Sequence, residues 1–200
     1  MAERRSIVLC DVMDTLVHEP FHLEMPAFFH LSLEELVAAK HPTAWIEFEL
    51  GALSEEQFLA RFFRDGRGFD RAAFVRAVRA AYRWLPGMQE LLAALAARGH
   101  AIHALSNYPC WYRMIEERLA LSRYLAWSFV SCETGVRKPD PRAFLGAAAR
   151  LGVAPGECLL IDDREHNCSA ARALGMAALR FTSAGELAEA LAQRGLLAAG

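Results

Sequence analysis

The sequence predicts an α/β fold: a three-layer core built on a parallel sheet, with a small helical cap inserted after the first strand. Three observations lead there. From Trp84 onward, short apolar runs of strand length alternate with longer helical stretches, the pattern of strands covered by helices on both faces. Four apolar runs far apart in the chain end abruptly in polar residues. Between the first run and the others, from Glu19 to Arg83, the pattern is helical throughout.

The first strand is Ile7 to Cys10, whose apolar, β-branched content suits a buried strand, and it stops at Asp11. In the helical block, Ser32-Leu-Glu-Glu35 and Ser54-Glu-Glu-Gln57 are capping-box sequences ahead of apolar residues at helical spacing. Pro42 opens a third helix carrying Trp45, Ile46, Phe48 and Glu49 up to Gly51, and Asp70 is the N-cap of a fourth with Phe74, Val75, Val78 and Tyr82 on one face. Phe58, Phe62 and Phe63 are core residues of this block.

After it, Pro86-Gly87 opens a helix from Met88 to Arg98, Gly99 ends it, and AIHALS is the second strand, ending in Ser106-Asn107. Trp111 to Leu119 is helical, LAWSFVS is the third strand, and Arg137-Lys138-Pro139 follows. Asp140-Pro141 caps a helix to Leu151 closed by Gly152. CLLI leads to Asp162-Asp163, Asn167 to Leu174 is a helix ended by Gly175, MAALRF is the fifth strand, and Ser183 starts the last helix. The division expected is a core of residues 1–17 and 84–200 and a cap of residues 18–83. If the strands are parallel neighbours, their carboxyl ends share one crevice, where ligands of open α/β sheets bind. That crevice collects carboxylates, a hydroxyl and a lysine.

Composition narrows the function. A formal net charge of −2 leaves no electrostatic footprint for nucleic acid or an anionic membrane surface, and no apolar run reaches the length of a membrane span. The first strand opens within a few residues of Met1, which leaves no room for a signal or transit peptide. Five scattered cysteines without close pairing fit reduced thiols in the cytoplasm, not a disulfide framework or a zinc site. Among the histidines, His41 before Pro42 is a helix cap, His30, His100 and His103 are structural, and His166 is exposed.

A strand ending DxxxT, a strand ending Ser-Asn, a lysine before Pro-Asp-Pro, and a strand ending in two aspartates with Asn167 four residues beyond Asp163 together resemble the haloacid dehalogenase superfamily, over nearly the whole chain. The resemblance implies a Rossmann-like core and a hydrolase acting on a small-molecule phosphate. By position Asp11 is the nucleophile that becomes phosphorylated. Mg²⁺ is held by Asp11, Asp163 and either Asp162 or Asn167, with the backbone carbonyl of Met13. Lys138 neutralises the nucleophile and the phosphoryl oxygens, Ser106 donates to the transferring group, and Thr15 ties the loop.

One position departs from the superfamily pattern. Phosphatases of the superfamily carry an aspartate two residues after the nucleophile, as acid and then base; here that residue is Met13, which exchanges no proton. General acid–base help is worth roughly 10²–10⁴-fold. Asp14 is the surrogate expected from a shifted loop; His18, Glu19 or His22 are further candidates from the cap side. The remaining alternatives are a leaving group needing no proton, as in a metal-independent dehalogenase, or a non-catalytic binding module. Against the dehalogenase stands Asp162-Asp163, because a metal-ligand pair has no evident use in displacing halide.

Within the superfamily, DVMDTLV, the Pro-Phe and Pro-Ala-Phe-Phe stretch (20–21, 26–29), KHPTAWIEFE (40–49), SNYPCWY (106–112) and RKPDP (137–141) look like the plant plastid flavin mononucleotide phosphatases, which are similar in carrying Met at the acid position. That likeness implies an aromatic phosphate as substrate. Phe21, Phe28, Phe29, Trp45 and Phe48 of the cap, with Tyr108 and Trp111 after the second strand, are the flat residues available to stack on it. Substrate contacts are thus expected from Ser106, Asn107, Lys138, Trp45 and Tyr108.

Overall fold

The computed structural model describes residues 6–198; the terminal residues of the expected core, 1–5 and 199–200, lie outside the described residues. Strand β1 (Ile7–Cys10) sits at the centre of a five-stranded parallel sheet, flanked by β2 (Ala101–Ser106) and β4 (Cys158–Asp162), with β3 (Ala126–Val130) and β5 (Ala177–Arg180) at the edges. Ile7 lies in register with both Ala101 and Cys158, so β1, β2 and β4 start level and their last residues converge at one end. The ladder runs one residue past β1, where the Asp11 N–H donates to Ile161 O at 2.9 Å.

Successive strand residues point to opposite faces, and each face has its own apolar cover. Val8, Cys10, Ile102, Ala104 and Ile161 pack with Met88, Leu91, Leu92 and Leu95 of α6 (Met88–Ala97), Ile115 of α7 (Tyr112–Leu119) and Leu187 and Leu191 of α11 (Ala184–Gln193). Leu9, Leu105, Phe129 and Leu160 face the other way, onto Phe144 and Ala148 of α9 (Pro141–Leu151) and Cys168 and Ala171 of α10 (Glu165–Ala173). Each such fully buried aliphatic side chain contributes roughly 1.5–3 kcal/mol over leaving it in water. Among the described residues, no helix is long and apolar enough to cross a membrane.

The inserted block holds α1 (Glu24–Phe28), α2 (Leu33–Ala39), α3 (Ala44–Glu49), α4 (Glu55–Ala60) and α5 (Arg71–Ala81). Both capping boxes form: Ser32 and Ser54 accept from the N–H groups of Glu35 and Gln57, whose side chains reach back. Asp70 caps α5 by accepting from the Ala73 N–H at 2.8 Å. His41 Nδ1 accepts from the Thr43 and Ala44 N–H groups at the start of α3. Two short α-helices among the described residues went unpredicted, α1 and the single turn α8 (Ser131–Thr134), because neither has a side-chain cap and each is too short to show a period.

The block does not stand free of the sheet. Phe48 stacks on Phe58 at 4.5 Å between centroids, and both meet the edge of Trp111, so one apolar cluster runs from the insert into the face of the core. Gly51 at the end of α3 approaches α8 so closely that a Cβ there would sit 2.4 Å from the Cys132 carbonyl oxygen, and its φ of +71° is open to glycine in any case. The two chain crossings between block and sheet run side by side: Val17 bridges Trp84, the His18 N–H donates to Arg83 O at 3.0 Å, and the Leu85 N–H to Leu16 O at 2.8 Å.

Candidate active site

The carboxyl ends of β1, β2 and β4 bring the separate signatures of the sequence together. Lys138 Nζ stands 3.0 Å from Asp11 Oδ1 and 2.5 Å from Asp162 Oδ2, with all three residues buried. Burial alone would lower the ammonium's pKa; the two carboxylates more than offset it, and Lys138 is raised. Carboxylate oxygens of Asp11, Asp162 and Asp163 lie within 4.8 Å of one another. The Asp11 carboxyl is pushed up first by burial and then by the neighbouring aspartates, against the pull of Lys138; Asp163 is likewise raised by burial and by Asp162.

One ammonium against three carboxylates leaves an excess of negative charge at one point. Asp163 Oδ1 is buried and has no hydrogen-bond partner, which is costly unless a cation completes it. Oxygen donors crowded in this way suit Mg²⁺, a hard cation. The residues present therefore fit a divalent ion between Asp11 and Asp163.

Asp162, expected as a metal ligand, belongs to the same cluster but has both oxygens occupied. Oδ2 receives Lys138, Oδ1 accepts from the Arg164 N–H at 2.9 Å, and the Asn167 amide donates to both at 3.0 and 3.1 Å. The Asn167 Oδ1 and Ser106 Oγ atoms are buried without a partner. Thr15 Oγ1 accepts from the Asp163 N–H at 3.2 Å and so ties the β1 loop to the β4 loop, as expected. Asp14 adopts φ +53°; its Oδ1 accepts from the Glu19 N–H at 3.0 Å and its Oδ2 stands 3.7 Å from His22 Nε2.

A cavity of about 370 Å³ opens in front of Asp11 and Lys138. Its floor includes Asp11, Met13, Asp14, Asn107 and Lys138 from the core, and its opposite wall Glu19, Phe21, Lys40, Trp45 and Glu49 from the insert. Among the expected ring-stacking residues, Phe21 and Trp45 face this space.

Several expectations are corrected here. Tyr108 does not line the cavity: it is 1% exposed, its hydroxyl pairs with that of Tyr82 at 2.9 Å, and its N–H donates to Ser131 Oγ. Its ring serves the interior because the chain turns inward after β2, and Trp111 follows it, bonded through Nε1 to Glu55. Phe28, Phe29 and Phe48 pack on other rings of the insert. Asn107 reaches the cavity wall, but its amide is held at both ends by the Lys138 backbone, Nδ2 donating to Lys138 O at 2.8 Å and Oδ1 accepting from its N–H at 2.7 Å. Its side chain thus positions the lysine loop, and the second Nδ2 hydrogen is the donor left to face a ligand.

Arg137, the residue before Lys138, forms a 2.9 Å ion pair with Glu49, whose other oxygen accepts from Trp45 Nε1 at 2.5 Å. Burial raises the Glu49 carboxyl, and Arg137 and Trp45 oppose that. His18 is tied to Glu24 at 2.8 Å. Lys40, Glu49 and Arg164 were missed as cavity residues: the stretch 40–49 was singled out for its aromatics, and charged residues inside helical patterns read as solvent-facing.

Comparison with known proteins bears on the family and the fold. A family model of haloacid dehalogenase-like hydrolases matches residues 7–175. The chain is 48% identical over 190 residues to flavin mononucleotide hydrolase 1 of Arabidopsis thaliana, named as a chloroplast protein, covering 95% of this chain and 78% of that one. It is 31% identical over 170 residues to a phosphoserine phosphatase of Thermus thermophilus, covering 80% and 68%. Among solved structures, a Bacteroides thetaiotaomicron enzyme of the same family, in complex with magnesium and inorganic phosphate, superposes with a TM-score of 0.69 at 19% identity over 90% of this chain and 95% of that one. An L-2-haloacid dehalogenase of Xanthobacter autotrophicus does so with 0.66 at 17% identity over 95% and 83%. With a matching family model across most of its length and relatives that are phosphatases, this chain belongs to the haloacid dehalogenase-like hydrolases.

Proposed function

We propose that this chain is a Mg²⁺-dependent phosphomonoester hydrolase that works through an aspartyl-phosphate on Asp11, with flavin mononucleotide as its substrate. The observation that carries the reading is the meeting of Asp11, Lys138 and Asp163 around one point at the cavity floor, a carboxylate, an ammonium and an orphaned carboxylate oxygen converging where a small anion fits. Residues 18–83 serve as the cap and residues 1–17 with 84–200 as the hydrolase core.

The work of this chain's residues divides as follows. Asp11, at the end of β1, attacks phosphorus; Lys138 neutralises it and the phosphoryl oxygens and is aimed by Asp162 and Asn107. Ser106 Oγ, buried with no protein partner, donates to the transferring group. Asp11, Asp163 and the Met13 carbonyl would hold the metal. When bound, Mg²⁺ cancels phosphate charge that would otherwise repel a carboxylate nucleophile. Cap movement about the paired crossings at Val17 and Trp84 admits substrate and excludes bulk water during attack.

Support for flavin mononucleotide comes from the 48% identical relative and from the cap wall, where Phe21 and Trp45 offer flat apolar surface beside the cationic Lys40. The five cysteines are free and mostly packed in apolar surroundings, which suits a reducing compartment such as the cytoplasm.

The test is phosphate release from a panel of phosphomonoesters, flavin mononucleotide included, with and without Mg²⁺. Release that requires Mg²⁺ and falls by at least about 10³-fold in Asp11→Asn, with the melting curve retained, is the expected result. Equal release without metal, or halide release from 2-haloacids, points to dehalogenase chemistry. Ligand binding without turnover makes the protein a binding module.

A further inference from the structure

Met13, two residues after Asp11 on the cavity floor, carries a thioether that holds no proton. A phosphate ester of an alkyl alcohol, such as the 5′-phosphate of a flavin nucleotide, leaves as an alkoxide that needs one. The proton must come from another side chain in the same cavity, on the side facing the cap.

The nearby candidates differ in what they have free. Asp14 is turned to accept, with Oδ1 on the Glu19 N–H and Oδ2 facing His22. His18 Nε2 contacts both oxygens of Glu24. Glu19 is placed otherwise. It is the first cavity residue after the chain crosses from core to cap, next to the point where the His18 N–H donates to Arg83 O. Its Oε1 accepts from the Phe21 N–H at 3.0 Å, which fixes the carboxyl's direction, and Oε2 has no hydrogen-bond partner among the described residues.

The geometry points to Glu19 as the catalytic acid that protonates the leaving oxygen and, in the second step, the base that deprotonates water, taking the place that Met13 leaves vacant. The inference rests on the phosphomonoesterase reading above.

The surroundings keep the proton on it. Burial is the main cause, and the negative charges of Asp14 on the β1 loop and Glu49 on α3 add to it; the Phe21 N–H and Arg164 at the start of α10 oppose them. The buried hydroxyls of Tyr82 and Tyr108 also stand near this carboxyl. The result is a group pushed up to about 8, protonated at neutral pH and still able to let go.

The steps balance. An Asp11 oxygen forms a bond to phosphorus as the ester P–O bond breaks, and the departing oxygen takes the Glu19 proton, leaving a free alcohol. The Glu19 carboxylate then takes a proton from water as the water oxygen attacks phosphorus. The Asp11–phosphorus bond breaks, which yields inorganic phosphate and returns both carboxyls to their starting states.

The test compares leaving groups. In Glu19→Gln, with Mg²⁺ present, turnover of flavin mononucleotide is expected to fall by roughly 10²–10⁴-fold. The first-turnover burst of p-nitrophenolate from p-nitrophenyl phosphate is expected to stay within a few-fold of wild type, because p-nitrophenolate departs without a proton. In wild type, kcat on flavin mononucleotide is expected to fall above about pH 8, as Glu19 loses its proton, and that limb is expected to be missing from Glu19→Gln. Glu19→Asp is expected to recover part of the loss.

Equal losses on both esters would make Glu19 structural, and an unaffected flavin mononucleotide rate would remove it from the chemistry. A leaving-group-selective loss in Asp14→Asn in place of Glu19→Gln would reassign the acid to Asp14. In all three cases wild type still hydrolyses phosphate esters, so the phosphomonoesterase reading stands. A wild type that releases no phosphate from any ester overturns that reading and this one with it.

Discussion

Lys138 Nζ lies 2.5 Å from Asp162 Oδ2, and both residues are sealed from solvent. This pair, not the pairing of Lys138 with Asp11 alone, holds the ammonium in place, since Asp162 is itself fixed by Asn167 and the Arg164 N–H. A buried carboxylate that loses its cation is left uncompensated, at a cost of about 3–5 kcal/mol. Lys138→Met is therefore expected to lose activity and to lower Tm by roughly 6–20 °C, with about 2–4 °C per kcal/mol for a chain of this size. The double variant Lys138→Met/Asp162→Leu is expected to regain part of the lost Tm, less what the Arg164 N–H and Asn167 amide lose with their acceptor, and none of the activity. Thermal melts of the two proteins check this; a double variant no more stable than the single one would deny the pair its structural part.

Asp163 carries the orphaned oxygen, so the protein's response to metal is expected to depend on it. Without any substrate, Mg²⁺ at about 100 times its Kd is expected to stabilise wild type by roughly 2.7 kcal/mol, a rise of about 5–10 °C in Tm. Asp163→Asn is expected to show little of that rise. An equal rise in both proteins would place the metal elsewhere.

Phe21 and Trp45 face the cavity whereas Tyr108 is packed in the interior, and the difference is measurable. Phe21→Ala is expected to raise KM for flavin mononucleotide by roughly 2–10-fold, the worth of one aromatic contact, while leaving kcat on p-nitrophenyl phosphate near wild type. Tyr108→Phe is expected to leave both constants alone and to cost about 0.5–1.5 kcal/mol of stability through the hydroxyl pair with Tyr82. A KM change in Tyr108→Phe as large as that in Phe21→Ala would return Tyr108 to the binding site.

Much of the site was legible because its signals are local. Asp11 follows an apolar run, Asp162 and Asp163 follow another, and Lys138 sits in an unusual Pro-Asp-Pro setting; a strand-end carboxylate in a parallel sheet has few places to go. The capping boxes of α2 and α4 were legible for the same reason, since each is a contact within four residues. The part of Asn107 was not. Ser-Asn at the end of β2 reads as a ligand contact, and only its distance from the backbone of a residue 31 positions away shows that the amide also holds the Lys138 loop.

The cap aromatics show the same limit more sharply. Phe21, Phe28, Phe29, Trp45, Phe48, Tyr108 and Trp111 are chemically alike in the sequence, and period alone does not say which lie inward. Glu49 reads as a charged residue in a helical stretch and Glu19 as one of several candidate proton donors; burial singles them out only where the insert folds back over the sheet.

From its residues alone, then, this chain declares a parallel α/β core, a helical insert, and an aspartate, a lysine and paired aspartates at or beside its strand ends, because periodicity, caps and strand-terminal chemistry act over a few neighbouring positions. The tertiary structure decided which rings face the cavity, that the Asn107 amide is bonded to the Lys138 backbone, and that burial pushes up the Glu19 carboxyl at the crossing into the insert. Those properties depend on burial and on charges brought close by residues distant in sequence, and no short stretch of chain contains them.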